Sequence, residues 1–357
     1  MKQFLLALAI LLPLSAMAQR PDIRRNQVGN YPQQEKVVVV EGTNAVNKLR
    51  ITTPSGKVLK AKGVRKAVSP LSQKTRYVVN LGELTTPGDY RITLGDEQCV
   101  LHVNERPYRD IATASLRLFY LIRSGVAIDA ARLFEPYQQD YPGFSAQAAA
   151  MAERAYQWAK EHPKAFYMQH TLKDPAVSTG AYGDQLYDYC DNAIKGVEES
   201  SFQSPYGNKP KDFGWGCLAE FCCCQAMALL FADDMQSNTK YRRYALQNAD
   251  YLLGRNATGY CFVTGFGDKS PMHPHHRPSE ADGIQAPYPG MLVGGPNPGQ
   301  QDKKSLGAVV YPSNVPDESY IDTMESYASN EIAINWNASL VAFLCWLDAL
   351  SGQLTIQ

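Results

Sequence analysis

Five carboxylates stand close together near the C-terminus: Asp317, Glu318, Asp322, Glu325 and Glu331. Acidic groups converging from a loop and a helix start suit general acid/base work. Glu331 follows Asn330 and is expected near the start of the last helix, where the positive end of the helix dipole favours the ionised form. To act as an acid it would need apolar burial or a second carboxylate to raise its pKa. Asp322 could be that neighbour, or could accept hydrogen bonds from a substrate. The same residues could also simply cap a helix and fill a solvated acidic loop. A second cluster, His273-Pro274-His275-His276, holds three of the six histidines and is followed by Arg277. Adjacent residues rarely ligate one ion together, and the arginine disfavours a cation. Imidazoles that hydrogen-bond a polar, neutral ligand fit better, with solvated loop histidines as the plain alternative.

The elements that must position these groups fall into two halves. Residues 19 to about 106 read as β. Lys36–Glu41 is β-branched, and Arg50–Thr53 runs into the turn Pro54-Ser55-Gly56. Arg76–Leu81 alternates, Pro87-Gly88-Asp89 is a turn, and Tyr90–Leu94 and Gln98–Val103 follow. Short strands punctuated by Gly and Pro suggest one immunoglobulin-like β-sandwich. From Pro107 the period becomes helical, over Arg109–Ser124, Ser145–Glu161, Cys217–Phe231, Tyr241–Leu253 and about Glu331–Leu350. The last two helices are separated by a long stretch rich in Gly, Pro, His and Asn, and a loop of that kind in a compact domain is usually functional. Pro107 suggests a short, fixed junction between the halves.

The chain has 357 residues, 45% hydrophobic and 20% charged, with 35 basic and 35 acidic residues. It can bury a sizeable core, and its balanced charge argues against a nucleic-acid partner. Lys2, the apolar run Phe4–Leu14 and Ala16-Met17-Ala18 read as a secretory signal peptide cut after Ala18, which leaves the mature chain with a small negative charge. No later stretch is long and apolar enough to span a bilayer. Export is compatible with periplasm, cell surface or medium. Of the eight cysteines, Cys222, Cys223 and Cys224 are consecutive on an expected helix, no Cys-x-x-Cys occurs, and small buried thiols are the simplest reading.

Longer stretches carry a resemblance. YIDTMESYASNEIAINWNA (residues 320–338) resembles the acidic motif of glycoside hydrolase family 9, the cellulase family of endoglucanases, matching at Tyr320, Asp322, Tyr327, Glu331, Asn337 and Ala338. NADYLLGRNATGYCFVTGFGDKSPMHPHHRPS (248–279) is similar to the family's histidine motif, with Cys261 a minor departure. GMLVGGPN (290–297), STGAYGD (178–184) and NQVGNYP (26–32) resemble the connecting loop, an upstream stretch and the start of the family's N-terminal immunoglobulin-like domain. The resemblance implies a signal peptide (1–18), a sandwich (19–106) and an all-α catalytic domain (107–357) like a shortened six-hairpin α/α barrel. It also implies inverting hydrolysis of β-1,4-glucan polysaccharide or oligosaccharide. Glu331 matches the general acid and Asp322 the aspartate beside it in the motif. His275 and Arg277 match cleft residues that contact sugar hydroxyls, and His276 and Tyr327 are placed with them. No cofactor is implied. Calcium occurs in relatives as a structural ion, but no clear ligand loop for it stands in this sequence.

One departure bears on mechanism. The family's general base lies in a DAGD motif, which is absent here. SLRLFYLIRSGVAI (115–128) resembles the helix that should precede it, and Asp129 is only an echo of the motif. About six or seven helices are legible where the family barrel has twelve. Inversion needs two carboxylates about 6.5–9.5 Å apart with a water between base and sugar. A chain lacking the base is expected to turn over slowly or to survive as a binding protein.

Overall fold

The structure, a computed structural model, describes residues 22–82, 84–122, 180–236, 240–304 and 309–350, with isolated positions at 139, 142, 143, 146 and 150. The expected signal peptide, Asp129 and nearly all of the helix expected over 145–161 lie outside the described residues.

Eight strands form two four-stranded antiparallel sheets. They are β1 (Asp22–Arg24), β2 (Lys36–Glu41), β3 (Arg50–Thr52), β4 (Val58–Leu59), β5 (Gly63–Val68), β6 (Thr75–Gly82), β7 (Gly88–Leu94) and β8 (Glu97–Val103). The first sheet has the order β1-β2-β6-β5 and the second β4-β3-β7-β8. Strand β2 carries four consecutive valines because both faces of its sheet are covered. Val38 and Val40 enter the sandwich core with Val79, Ile92 and Leu101. Val37 and Val39 face the other way, into a core shared with Tyr206, Leu246 and Leu347 of the helical half. A strand buried on one face alternates apolar and polar residues; one buried on both reads as a continuous apolar run. Each valine removed from water contributes about 1.5–3 kcal/mol, so the shared core joins the two halves strongly.

Seven α-helices are described: α1 (Arg109–Ile122), α2 (Gly180–Ile194), α3 (Cys224–Gln236), α4 (Arg242–Leu252), α5 (Arg277–Ala281), α6 (Tyr327–Asn330) and α7 (Ile334–Ala349). Helix α1 packs on α7, and α4 packs on α3. Two sequence expectations need correction. The apolar run after Cys217 starts as a π-helix, Leu218–Cys223, before α3. Gly294 and Gly295 press on this turn: the Leu218 N–H donates to the Gly294 carbonyl at 3.3 Å, and a Cβ on Gly295 would strike the Leu218 side chain. The last helix begins at Ile334, so Glu331 precedes it. All eight cysteines are free, with Cys222 and Cys223 buried and Cys224 exposed.

Two polar clusters cross the seam between the halves. Asp250, on α4, is buried and accepts from Asn26 Nδ2 (2.8 Å), Asn30 Nδ2 (3.2 Å), Gln34 Nε2 (3.1 Å) and Arg255 (2.8 Å). Burial pushes its carboxyl up, while Arg255 and the three amides pull it down. In the second cluster Arg76 of β6 faces Glu41 at 2.8 Å and Asp317 at 3.6 Å, and Lys74 meets Glu318 at 2.7 Å. Asp317 and Glu318 therefore belong to the seam and not to a catalytic cluster, contrary to the sequence expectation.

Removing one partner of a buried ion pair leaves the other uncompensated. Asp250→Ala is expected to lose about 3–5 kcal/mol of stability, read from urea unfolding. Asp317 supplies a pH test. Burial raises its carboxyl to about 6, opposed by Arg76; in the unfolded chain it titrates near 3.9. The folded state thus keeps a proton that the unfolded state releases, and stability falls as pH rises from about 4 to about 6. The expected loss is about 3 kcal/mol, and Asp317→Asn should remove that slope from urea titrations across the window.

Candidate active site

Glu331 lies on an extended segment, φ −70° and ψ 148°, at the C-terminus of the one-turn helix α6. Three pieces of backbone hold it. His275 pairs alongside in a parallel bridge with Glu331, and the His275 N–H donates to the Asn330 carbonyl at 2.8 Å. On the other side Val293 pairs with Ile332, and the Gly294 N–H donates to the Glu331 carbonyl at 3.1 Å. Val263 then pairs with Leu292, so four loop segments act as a small sheet. This sheet, not a helix dipole, sets the position of Glu331. Its side chain is half-buried and forms no hydrogen bond or ion pair with a described residue, which leaves the carboxyl group available for chemistry.

Asn330 ties the acidic segment to the histidine loop. It is fully buried. Its Oδ1 accepts from the Tyr320 hydroxyl at 2.6 Å, and its Nδ2 donates to the His273 carbonyl at 2.7 Å and to Asp322 Oδ1 at 3.2 Å. Asp322 in turn accepts from the backbone N–H groups of Met272 (2.7 Å) and His273 (2.9 Å). Both oxygens of Asp322 are thus used to hold the histidine loop. The sequence reading offered it as a carboxylate neighbour of Glu331 or as a substrate acceptor; its observed partners are backbone and Asn330. From behind, Asn337 of α7 accepts from the Leu292 N–H at 2.8 Å and donates to the Ala333 carbonyl at 2.9 Å.

Of the expected site residues, His275, His276, Arg277, Asp322, Tyr327 and Glu331, the structure brings His275 and Tyr327 to the segment carrying Glu331. His275 Nδ1 lies 2.5 Å from the Met324 carbonyl oxygen, so that nitrogen carries the hydrogen. In the neutral ring Nε2 is then an acceptor, and it donates only when the ring is protonated. A neutral His275 would therefore meet a hydroxyl as an acceptor at Nε2 and not as a donor. His276 Nδ1 is 2.9 Å from the Ser279 hydroxyl, and burial pushes its ring below the usual histidine range. Arg277 is exposed at the start of α5 and forms no ion pair with a described residue. Glu325 is exposed and bonded to the Thr323 hydroxyl, which lowers its carboxyl.

The sequence reading missed Trp215. Its ring is 41% exposed and lies 5.8 Å, centroid to centroid, from that of Tyr327. Tyr327 lies 6.3 Å from His275. The three rings make a row leading to the Glu331 segment, a surface suited to the apolar faces of ring-shaped ligands. Phe213-Gly214-Trp215-Gly216, an aromatic between glycines, was the available signal. Gly216, at φ 61°, lets the buried Trp336 pack directly beneath, since a Cβ there would lie 2.4 Å from the indole. A cavity of about 320 Å³ flanks the histidine loop beside Met272, His273, Ser279 and Glu280. Among the described residues no group of three His, Cys, Asp or Glu side chains is placed to hold a metal ion.

The molecule is thus a sandwich fused through a shared core to a helical domain, with the Glu331 carboxyl beside His275 and an aromatic row. Residues 187–344 match glycosyl hydrolase family 9, and residues 18–98 match the cellulase N-terminal ig-like domain, so the chain carries both of these domains. It is similar to a xyloglucan-specific endo-beta-1,4-glucanase of Bacteroides ovatus, 41% identical over 302 residues, which covers 64% of this chain and 51% of that protein. Endoglucanase D of Acetivibrio thermocellus is 31% identical over 211 residues, covering 58% of this chain and 30% of that one. Among solved structures, Bacteroides ovatus GH9 superposes with a TM-score of 0.71 at 27% identity, covering 92% of this chain and 99% of that one. The chain spans about half the length, or less, of these curated relatives.

Asp322 should behave as a clamp. In Asp322→Ala the Met272 and His273 amides lose a charged acceptor worth about 1.5–3 kcal/mol. Hydrogen exchange at those two amides is expected to quicken at least about tenfold, with stability elsewhere largely kept.

Proposed function

We propose that this protein is an exported glycoside hydrolase that cleaves β-1,4-linked glucan by acid catalysis from Glu331. The observation that carries the reading is the unpaired Glu331 carboxyl, held on an extended segment beside His275. Glu331 donates its proton to the leaving glycosidic oxygen while a water adds to the anomeric carbon, and with no DAGD base to take it the water's proton passes to solvent. His275, Arg277 and His276 bind sugar hydroxyls, His275 accepting through Nε2, and Tyr327 with Trp215 receives sugar faces. The reading asks for no cofactor; a structural calcium would act on stability and not on the bond broken. The name of the Bacteroides ovatus relative puts xyloglucan among the substrates to try. Export rests on the N-terminal sequence, and no described helix is long and apolar enough to cross a membrane. The helical half is proposed to be a shortened α/α barrel running from about residue 107.

A second reading is favoured by the absent DAGD motif: a protein that keeps the sugar contacts and has lost turnover. Loss of a general base slows an enzyme by about 10²–10⁴-fold, so the two readings separate in one assay. Reducing-sugar release from carboxymethylcellulose, mixed-linkage β-glucan and xyloglucan is measured for residues 19–357 and for Glu331→Gln. Hydrolysis requires release that falls at least about 10²-fold in the variant. Undiminished release in Glu331→Gln removes the assignment of the acid. No release from a folded chain that still binds the oligosaccharide supports the second reading.

A further inference from the structure

Charge is unevenly placed along this chain. Between Gly42 and Gly82 stand nine basic residues and no acidic one, while the rest of the chain holds all 35 acidic residues and 26 of the 35 basic ones. Three of the nine serve inside the molecule. Arg76 and Lys74 belong to the second seam cluster, and Arg65 donates to the Glu199 and Ser200 carbonyls at 2.9 and 2.7 Å. Lys57, Lys60, Lys62 and Lys66, by contrast, are exposed and form no ion pair with a described residue. The topology gathers these four. Strand β4 is an edge of the second sheet and β5 an edge of the first, and the chain crosses between them in three residues, Lys60-Ala61-Lys62. So short a crossing puts both edges on one flank of the sandwich. The same flank exposes Val58, Val64 and Val68, at 58%, 45% and 53%. On β5, Arg65 and Ala67 face the helical half, so Val64, Lys66 and Val68 share the opposite side. Lysines on an edge strand blunt strand-to-strand pairing, a purpose that exposed valines between them would defeat. Cations interleaved with small apolar side chains match instead an interface that offers negative charge above hydrocarbon. Residues 57–68 contain no aromatic ring, so the flank is poorly made for stacking on sugars.

We propose that this flank of the sandwich docks on an anionic lipid surface. The ammonium groups of Lys57, Lys60, Lys62 and Lys66 meet lipid phosphates, and the three valines enter the headgroup boundary. Each lysine beside an anionic leaflet is worth about fivefold in partition, so the four together favour the bound state by on the order of 500-fold. Attachment of this kind is reversible and screened by salt. It stands independently of the proposed hydrolysis, and it would hold the folded chain at a membrane that no described helix crosses.

Co-sedimentation of the 19–357 chain with lipid vesicles tests this. Binding is expected to phosphatidylcholine vesicles containing about one third phosphatidylglycerol, and not to phosphatidylcholine alone. Raising the salt from about 0.05 M to about 0.5 M should weaken it at least about tenfold. Changing Lys57, Lys60, Lys62 and Lys66 together to Gln, all at exposed positions, should cost at least about 100-fold in partition with Tm unchanged. The same change at the exposed Lys211 and Lys304 should leave binding as it was. Val64→Ser combined with Val68→Ser should weaken it a few-fold. No sedimentation at low salt, equal binding to the neutral vesicles, or binding that the four-lysine variant keeps would each overturn the proposal. Polygalacturonate binding that the four-lysine variant loses, without binding to the vesicles, would also overturn it and assign the flank to an acidic polysaccharide.

Discussion

A carboxylate with nowhere to go organises the two halves. Asp250 sits at the centre of the seam with almost no exposure. A bare charge in that position is prohibitive unless it is paired and hydrogen-bonded. Arg255 supplies the charge from the helical half, and Asn26, Asn30 and Gln34 supply the donors from the segment leading into the sandwich. The requirement is mutual, because the amides are buried too. Around it the valines of β2 close the apolar part of the seam, and Tyr31 donates to the Leu347 carbonyl at 2.5 Å to bring in the last helix. The sandwich is therefore part of the fold of the helical domain and not a pendant module. NQVGNYP and NADYLLGRN, far apart in the chain, are two sides of one hydrogen-bonding arrangement.

The site depends on this frame through α7 and α4. Helix α7 rests against α1 and carries Asn337, which pins the loop ending at Leu292. Helix α4 leads through Arg255 and Asn256 into the loop that ends at the histidines, and Asn256 holds that turn by donating to the Tyr251 and Tyr260 carbonyls. The two loops meet at Asn330. Long loops of this kind do not hold a side chain to a fraction of an ångström by themselves. Here each backbone segment is paired to the next by a bridge or a side-chain amide, so the position of Glu331 is as well constrained as one on a sheet. Most of the polar residues in the motifs serve this construction. Asp322 and Asn330 hold backbone, whereas the Glu331 side chain forms no hydrogen bond or ion pair with a described residue.

Much of this was legible in the residue order. Strands β2, β3, β6, β7 and β8 follow from β-branched runs and Gly/Pro turns, and α1 and α4 from their helical period, because local pattern decides those elements. Strands β1, β4 and β5 were not legible. All three are edge strands with little apolar alternation, and their partners are supplied by neighbours in space. The π-helix was also unreadable: its first turn is bonded to Gly294 and packed against Gly295, which belong to a distant loop. Glu331 and His275 could be nominated from residue type and spacing; the grouping of Asp317 and Glu318 with them could not survive, because Arg76, more than two hundred residues earlier, claims both.

What the sequence determined by itself was the division into β and helical halves, the acidic and histidine clusters, and the absence of the DAGD motif. Those features are local: they depend on which residues adjoin, and adjacency is what a sequence records. Only the tertiary structure decided that Glu331 stands on an extended segment, that Asp322 clamps backbone, that His275 presents an acceptor and that Trp215 joins Tyr327 beside it. Each of these turns on a hydrogen bond or packing contact between chain segments remote in order. Such a contact forms when the buried polar groups on both sides can satisfy each other, and that condition exists only once the seam has closed.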